Sequence, residues 1–167
     1  MTATAAEFAQ IVRSHQAMVY SIARHFDPHT AEELAQDVFL QLHRHFGSIE
    51  SPAHLTNWLR RVATQRAIDQ TRRNKLRPRV GLESVNEPSQ LPDTGDPFMS
   101  EMLHRLVQGL PERPRMLVIL RYQEDLEPGE IAGILQIPIG TVKSGLHRAL
   151  AVLRGRLEQV QKGALRQ

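Results

Sequence analysis

Apolar residues recur at three- and four-residue steps through most of the chain, which is the period of an amphipathic helix. Phe8, Ile11, Val12, Val19, Ile22, Ala23 and Phe26 share one stripe, and Asp27-Pro28-His29 ends it. Thr30-Ala31-Glu32-Glu33 fits a capping box, in which the Thr30 hydroxyl accepts from a free amide and Glu33 reaches back. Behind it Leu34, Val38, Leu42 and Phe46 repeat on one face. Residues 47–50 read as a loop. Ser51-Pro52 looks like a cap followed by proline at the first helical position. Leu55, Trp58, Leu59 and Val62 then form a third stripe, running into a basic segment that ends at Lys75. Three helices over residues 1–75 are expected to bury one common core.

The pattern fails over residues 76–98. Pro78, Gly81, Pro88, Pro92 and Gly95 interrupt it, and no apolar period is sustained. A segment of this length is longer than ordinary connections inside a compact domain, so it reads as a flexible linker. Helical periodicity returns over residues 99–167. Asp96-Pro97 gives a start, with Met102, Leu103, Leu106 and Leu110 on one face. Pro111 opens a second helix, with residues 116–120 apolar, and Glu127-Pro128 opens a third carrying Ile131, Ile134 and Leu135. After the turn Gln136-Ile137-Pro138, a fourth helix turns Val142, Leu146, Ala149, Leu150, Leu153 and Leu157 inward. No strand pattern or internal repeat is visible. The expected fold is all-α, with two small helical domains.

Composition narrows the classes. The 167 residues contain no Cys, which removes disulfides, thiolate zinc sites and a cysteine nucleophile together. No apolar run approaches the roughly 20 residues of a membrane helix, and the first residues show no secretory signal, so a cytoplasmic protein without membrane insertion is expected. The formal net charge is only +3, but it is unevenly placed. Residues 60–79 carry eight Arg or Lys and one acid, Asp69; residues 141–167 carry six and one acid, Glu158. Two basic stretches on a nearly neutral body suggest two contacts with a polyanion. Solvated helix faces are the plainer alternative. His43-x-His45 and the His25, His29 pair lack a third ligand, so no metal site or cofactor is expected. There is also no nucleophile elbow or phosphate loop.

The strongest local signal lies between Glu130 and Lys143. A short amphipathic helix, a tight turn and a helix opening on Gly140 and Thr141 read as a helix-turn-helix. Small and hydroxylated residues at that opening let backbone amides and Thr141 approach a phosphate. Lys143, Ser144, His147 and Arg148 are expected to point outward, toward base edges in a major groove.

These segments, with Leu110-Pro111, Glu130-Ile131-Ala132, Gly140-Thr141-Val142-Lys143-Ser144 and His147-Arg148-Ala149, resemble the C-terminal domain of bacterial extracytoplasmic-function sigma factors of the sigma-70 family. The N-terminal half agrees independently. Residues 31–39 resemble the family's polymerase-binding helix, while Trp58-Leu59, Val62-Ala63, Asp69 and Arg72-Arg73 resemble its promoter −10 helix. The resemblance covers nearly the whole chain. It implies region 2 over 1–75, a linker over 76–98 and region 4 over 99–167. It implies an alternative sigma factor that reads −35 and −10 elements, does no chemistry itself, and has core RNA polymerase, promoter DNA and an anti-sigma factor as partners. A stand-alone helix-turn-helix regulator is the other reading; it would share the C-terminal motif but need a different first half.

By that resemblance Thr141, Lys143, Ser144, His147 and Arg148 contact the −35 element. His54, Asn57, Arg60, Arg61, Gln65, Arg72 and Arg73 contact the −10 element, and Arg66 and Lys75 offer further phosphate contacts. Glu32, Glu33, Gln36, Asp37 and Leu40 form the polymerase surface. Trp58 fits the core better than a stacked base. Three positions depart from the family. Gly145 replaces a usual Arg, removing an expected phosphate contact. Gln65 replaces a usual Asn near the pocket for an extruded base, and Thr30 replaces a usual acid.

Overall fold

The computed structural model describes residues 4–76 and 96–166. Most of the expected linker therefore lies outside the described residues. Among them are seven α-helices and no strand: α1 (Ala5–Phe26), α2 (Ala31–His45), α3 (Pro52–Leu76), α4 (Pro97–Gln108), α5 (Glu112–Val118), α6 (Pro128–Leu135) and α7 (Ile139–Ala164).

The first three helices pack on one another through the stripes read from the sequence. Val19, Ile22, Leu34, Val38, Leu42 and Leu59 are almost fully removed from water. Burial of this kind is worth about 1.5–3 kcal/mol for each large aliphatic side chain. The start of α1 is fixed by a capping box, with Thr4 Oγ1 accepting from the Glu7 amide and Glu7 reaching back to the Thr4 amide at 2.8 Å. The Thr4 amide and, at 3.0 Å, the Thr4 hydroxyl donate to the Glu7 carboxylate and hold it below its usual range.

The expected box at Thr30 does not form. Thr30 has φ −114° and ψ 5°, away from the extended geometry that aims a cap hydroxyl back at the helix, and its Oγ1 is buried without a partner among the described residues. Asp27 organises this turn instead, accepting from the His29 amide at 3.0 Å. Ser51 does cap α3 as read, its Oγ accepting from the His54 amide at 3.1 Å.

The second half is built on α5 and α7. Asp96 caps α4 by accepting from the Phe98 amide at 3.0 Å. Between α5 and α6 the helix widens into a π turn over Ile119–Gln123, closed by the Glu124 amide on the Ile119 carbonyl. Such turns add one residue to a helix. Gln136 ends α6 in a left-handed conformation, φ 55°, which makes the tight turn into α7. Gly145 lies on α7 where a Cβ would stand 2.5 Å from Leu117 Cδ1. The position expected to lack a phosphate contact therefore faces α5, and glycine there permits a close approach of the two helices.

The two halves share one apolar cluster. Met116, Leu117, Ile119, Leu120, Leu126 and Ile131 of the second half join the core of the first. A smaller group, Leu110, Val118 and Ala149, lies on the far side of α5.

Candidate nucleic-acid interface

Burial of Val142, Leu146 and Ala149 fixes how α7 is turned. The opposite face is then set by helical spacing. Thr141, Lys143, Ser144, His147 and Arg148 are all exposed along it. Arg148 is steadied by its Nε donating to the Ser144 carbonyl at 3.4 Å, and Ser144 Oγ donates to the Thr141 carbonyl at 3.3 Å. The face offers hydroxyl, ammonium, imidazole and guanidinium groups within three turns, a set able to pair with phosphates and base edges.

On α3, Leu55, Leu59, Val62, Ala63 and Ala67 point into the core. His54, Asn57, Arg61, Gln65 and Arg72 follow one another at steps of three, four, four and seven, so one helix face carries them. His54, Asn57, Gln65 and Arg72 are exposed and Arg61 is half-buried. Arg60 and Arg73 fall on opposite shoulders of that face. Arg60 is half-buried and its Nε has no hydrogen-bond partner among the described residues. Arg66 lies elsewhere, donating to Gln41 Oε1 on α2 at 3.0 Å. Trp58 is half-buried against the core, with the His45 ring 6.1 Å away.

The third surface is on α2. Glu32, Glu33, Gln36, Asp37 and Leu40 are exposed, Leu40 to 59%. Glu32, Gln36 and Leu40 line an open groove of about 1010 Å³ between α1 and α2, floored by Phe8, Val12 and Phe39. Glu33 and Asp37 lie outside the groove lining.

Sequence reasoning missed the polar residues along the seam between the halves. Ser21 donates to Glu124 Oε1 at 2.9 Å, and the Gln108 amide donates to the His25 carbonyl. The Arg115 guanidinium lies 5.4 Å over the Phe26 ring. Arg72 Nε stands 2.9 Å from Glu112 Oε1, as a charge contact rather than an aligned hydrogen bond. Burial lowers the His25 imidazole from 6.5 to about 4, with smaller contributions from His104 and Arg24. Burial likewise lowers His104 and raises the Glu124 carboxyl, the latter against the opposing pull of Ser21 and Arg60. The only sequence signal for this seam is the polar pair Gln123-Glu124, set between the buried Leu120 and Leu126.

Two family patterns match the chain: Sigma-70 region 2 over residues 11–77 and Sigma-70, region 4 over residues 100–153. The chain is 32% identical to the ECF RNA polymerase sigma factor SigW of Bacillus subtilis, across 92% of this chain and 90% of that protein. It is 32% identical to the RNA polymerase sigma-E factor of Streptomyces avermitilis, across 91% and 86%. Among solved structures it resembles the sigma factor RpoE of Bartonella quintana, in complex with the anti-sigma factor NepR. That likeness has a TM-score of 0.72 at 23% identity and covers 90% of this chain and 96% of that one, so it speaks to the fold. No helix among the described residues is long and apolar enough to cross a membrane.

Proposed function

This chain belongs to the extracytoplasmic-function sigma factors of the sigma-70 family, and from that premise we propose that it binds core RNA polymerase and directs promoter-specific initiation. The observation that carries the reading is the presence of regions 2 and 4, in that order, in a chain that spans 90% of a sigma factor at 32% identity. A stand-alone helix-turn-helix regulator accounts for region 4 but not for region 2.

The exposed face of α7 reads the −35 element through Lys143, Ser144, His147 and Arg148, with Thr141 on a flanking phosphate. The α3 face reads the −10 element. Asn57 and Gln65 offer side-chain amides that both donate to and accept from a base edge, while Arg60, Arg61, Arg72 and Arg73 hold the strand by its phosphates. Glu32, Glu33, Gln36, Asp37 and Leu40 form a mixed acidic and apolar surface suited to an amphipathic basic helix of the polymerase. The protein orients polymerase and strands and performs no bond chemistry of its own. It works in the cytoplasm, where polymerase and chromosome are, and an anti-sigma factor in 1:1 complex restrains it.

Run-off transcription with purified core enzyme on a library of genomic promoter fragments tests the reading. Specific transcripts that require the added chain are expected. Binding of the chain to DNA with no transcript above core enzyme alone refutes it.

A further inference from the structure

Of the α3 residues turned toward the −10 element, His54 alone is neither an amide nor an arginine. It is exposed in the first turn of the helix, one turn from Asn57 on the same face. Two hydrogen bonds tie it to the loop ahead. Its backbone amide donates to Ser51 Oγ at 3.1 Å, and the Glu50 amide donates to its ring Nδ1 at 3.3 Å. The pair works as a capping box in which an imidazole stands where Glu or Gln is usual. The loop is braced further by Ser48 Oγ, which donates to the His45 carbonyl at 2.7 Å, and by Ile49, half-buried against the core.

A backbone N–H can only donate, so Nδ1 of His54 presents its lone pair to Glu50. The proton of the neutral ring is then on Nε2. Nε2 takes no partner among the described residues. His45, at the other end of the loop, has the opposite polarity. Its Nδ1 faces the Gln41 carbonyl at 2.9 Å and must donate, which leaves Nε2 as an acceptor. An acid at position 54 would hold the loop equally well but would offer a base edge only acceptors. G and T carry a keto oxygen where A and C carry an amino group. A group that can only donate meets the first pair with a hydrogen bond and the second with two opposed donors.

We propose that His54 is a specificity-determining residue for the −10 element: the Glu50 amide fixes its polarity, and Nε2–H donates to the exocyclic oxygen of a keto base, selecting G or T over A or C. The proposal rests on the −10 reading of the α3 face given above.

Initiation from a promoter library randomised over the −10 element, with core polymerase and the full chain, tests it. The wild type is expected to enrich G and T over A and C about three- to tenfold at one position, the ratio that a neutral hydrogen bond sets. His54→Gln is expected to keep that preference, since its carbonyl takes the Glu50 amide and its NH2 group faces outward as a donor. His54→Glu is expected to reverse it, since both carboxylate oxygens accept. His54→Ala is expected to reduce it to less than about twofold. Repulsion between the added charge and phosphates weakens all sequences together and cannot reverse a preference. Thermal melting by circular dichroism establishes that the variants are folded. Long-range nitrogen–proton spectra at about pH 8, above the ordinary imidazole range, are expected to show the Nε2–H form at His54 and the Nδ1–H form at His45.

A wild-type preference that His54→Glu and His54→Ala leave unchanged overturns the proposal and leaves the −10 reading standing. Equal losses on every sequence also overturn it, reducing His54 to a support for the loop. So does the Nδ1–H form at His54. A wild type with no preference anywhere in the −10 element overturns the −10 reading and the proposal with it.

Discussion

Arg148 and Gln65 are the residues on which promoter choice turns in this reading. Arg148→Ala removes a fork able to take two acceptors on a guanine edge, and is expected to cost about 1–3 kcal/mol and to relax one base of the −35 element. Its side chain is exposed, so the melting temperature should not move. Equal losses on specific and random duplexes would reduce it to a phosphate contact. Gln65→Asn shortens the amide by one methylene and is expected to change the preferred −10 base while leaving −35 preference fixed; promoters selected from a randomised −10 library with each protein measure this. Gly145 tests packing rather than reading. Alanine there gains roughly 1 kcal/mol of helix propensity but drives its Cβ against the buried Leu117, and overpacking costs about 1–3 kcal/mol. Gly145→Ala is therefore expected to destabilise the wild type and to stabilise a Leu117→Ala background, a change of sign visible in urea titrations. The sequence showed that position 145 departs from the family. The reason was not legible, because a close approach between two helices leaves no periodic trace in either.

At the level of elements, α2 joins two tasks. Its buried face, Leu34, Val38, Phe39 and Leu42, holds α1 and α3, and its outer face carries the acids with Leu40. Gln36→Ala with Asp37→Arg is expected to weaken capture of core polymerase by about tenfold or more, as loss of a charge complement at an interface does. DNA binding by the whole chain should be unchanged. Unaltered polymerase capture in a pull-down titration would remove this surface from the assignment. The helices themselves were legible. Each stripe from Phe8 to Phe26, from Leu34 to Phe46 and from Leu55 to Val62 lies inward on a helix, because burial imposes the 3.6-residue period that makes a stripe visible. What escaped was local. The cap signal at Thr30 was present in the letters and defeated by backbone angles that a preceding Asp27 turn imposes. The equivalent box at Thr4 and Glu7 lies ahead of the first apolar stripe, which begins at Phe8, so the stripe did not point to it.

For the whole molecule, the sequence separated two helical halves but gave no sign that they share a core, since an apolar face looks alike whichever partner covers it. The seam also makes the fold sensitive to acid. His25 titrates near 6.5 when exposed and near 4 when buried. Between those values the unfolded chain holds a proton that the native chain lacks, so stability falls as pH drops through this window and is unaffected by His25 above it. His104 acts in the same direction, and Glu124, raised by burial, recovers part of the loss. The expected difference between pH 7 and pH 5 is about 1–2 kcal/mol, and His25→Gln should flatten it; a profile unchanged by that variant would assign the acid sensitivity elsewhere. The π turn carries a consequence of another kind. Ile119–Gln123 spends one residue more than an ordinary turn, and removing one codon there, at the exposed Tyr122, would let α-type bonds close. The residue that follows would then rotate by about 100° relative to α5, taking Glu124 off Ser21. That polar link between the halves is thus keyed to a single inserted amino acid, so a one-codon deletion in a descendant would break it while leaving the contacts made ahead of it, Arg72 with Glu112 and Gln108 with His25.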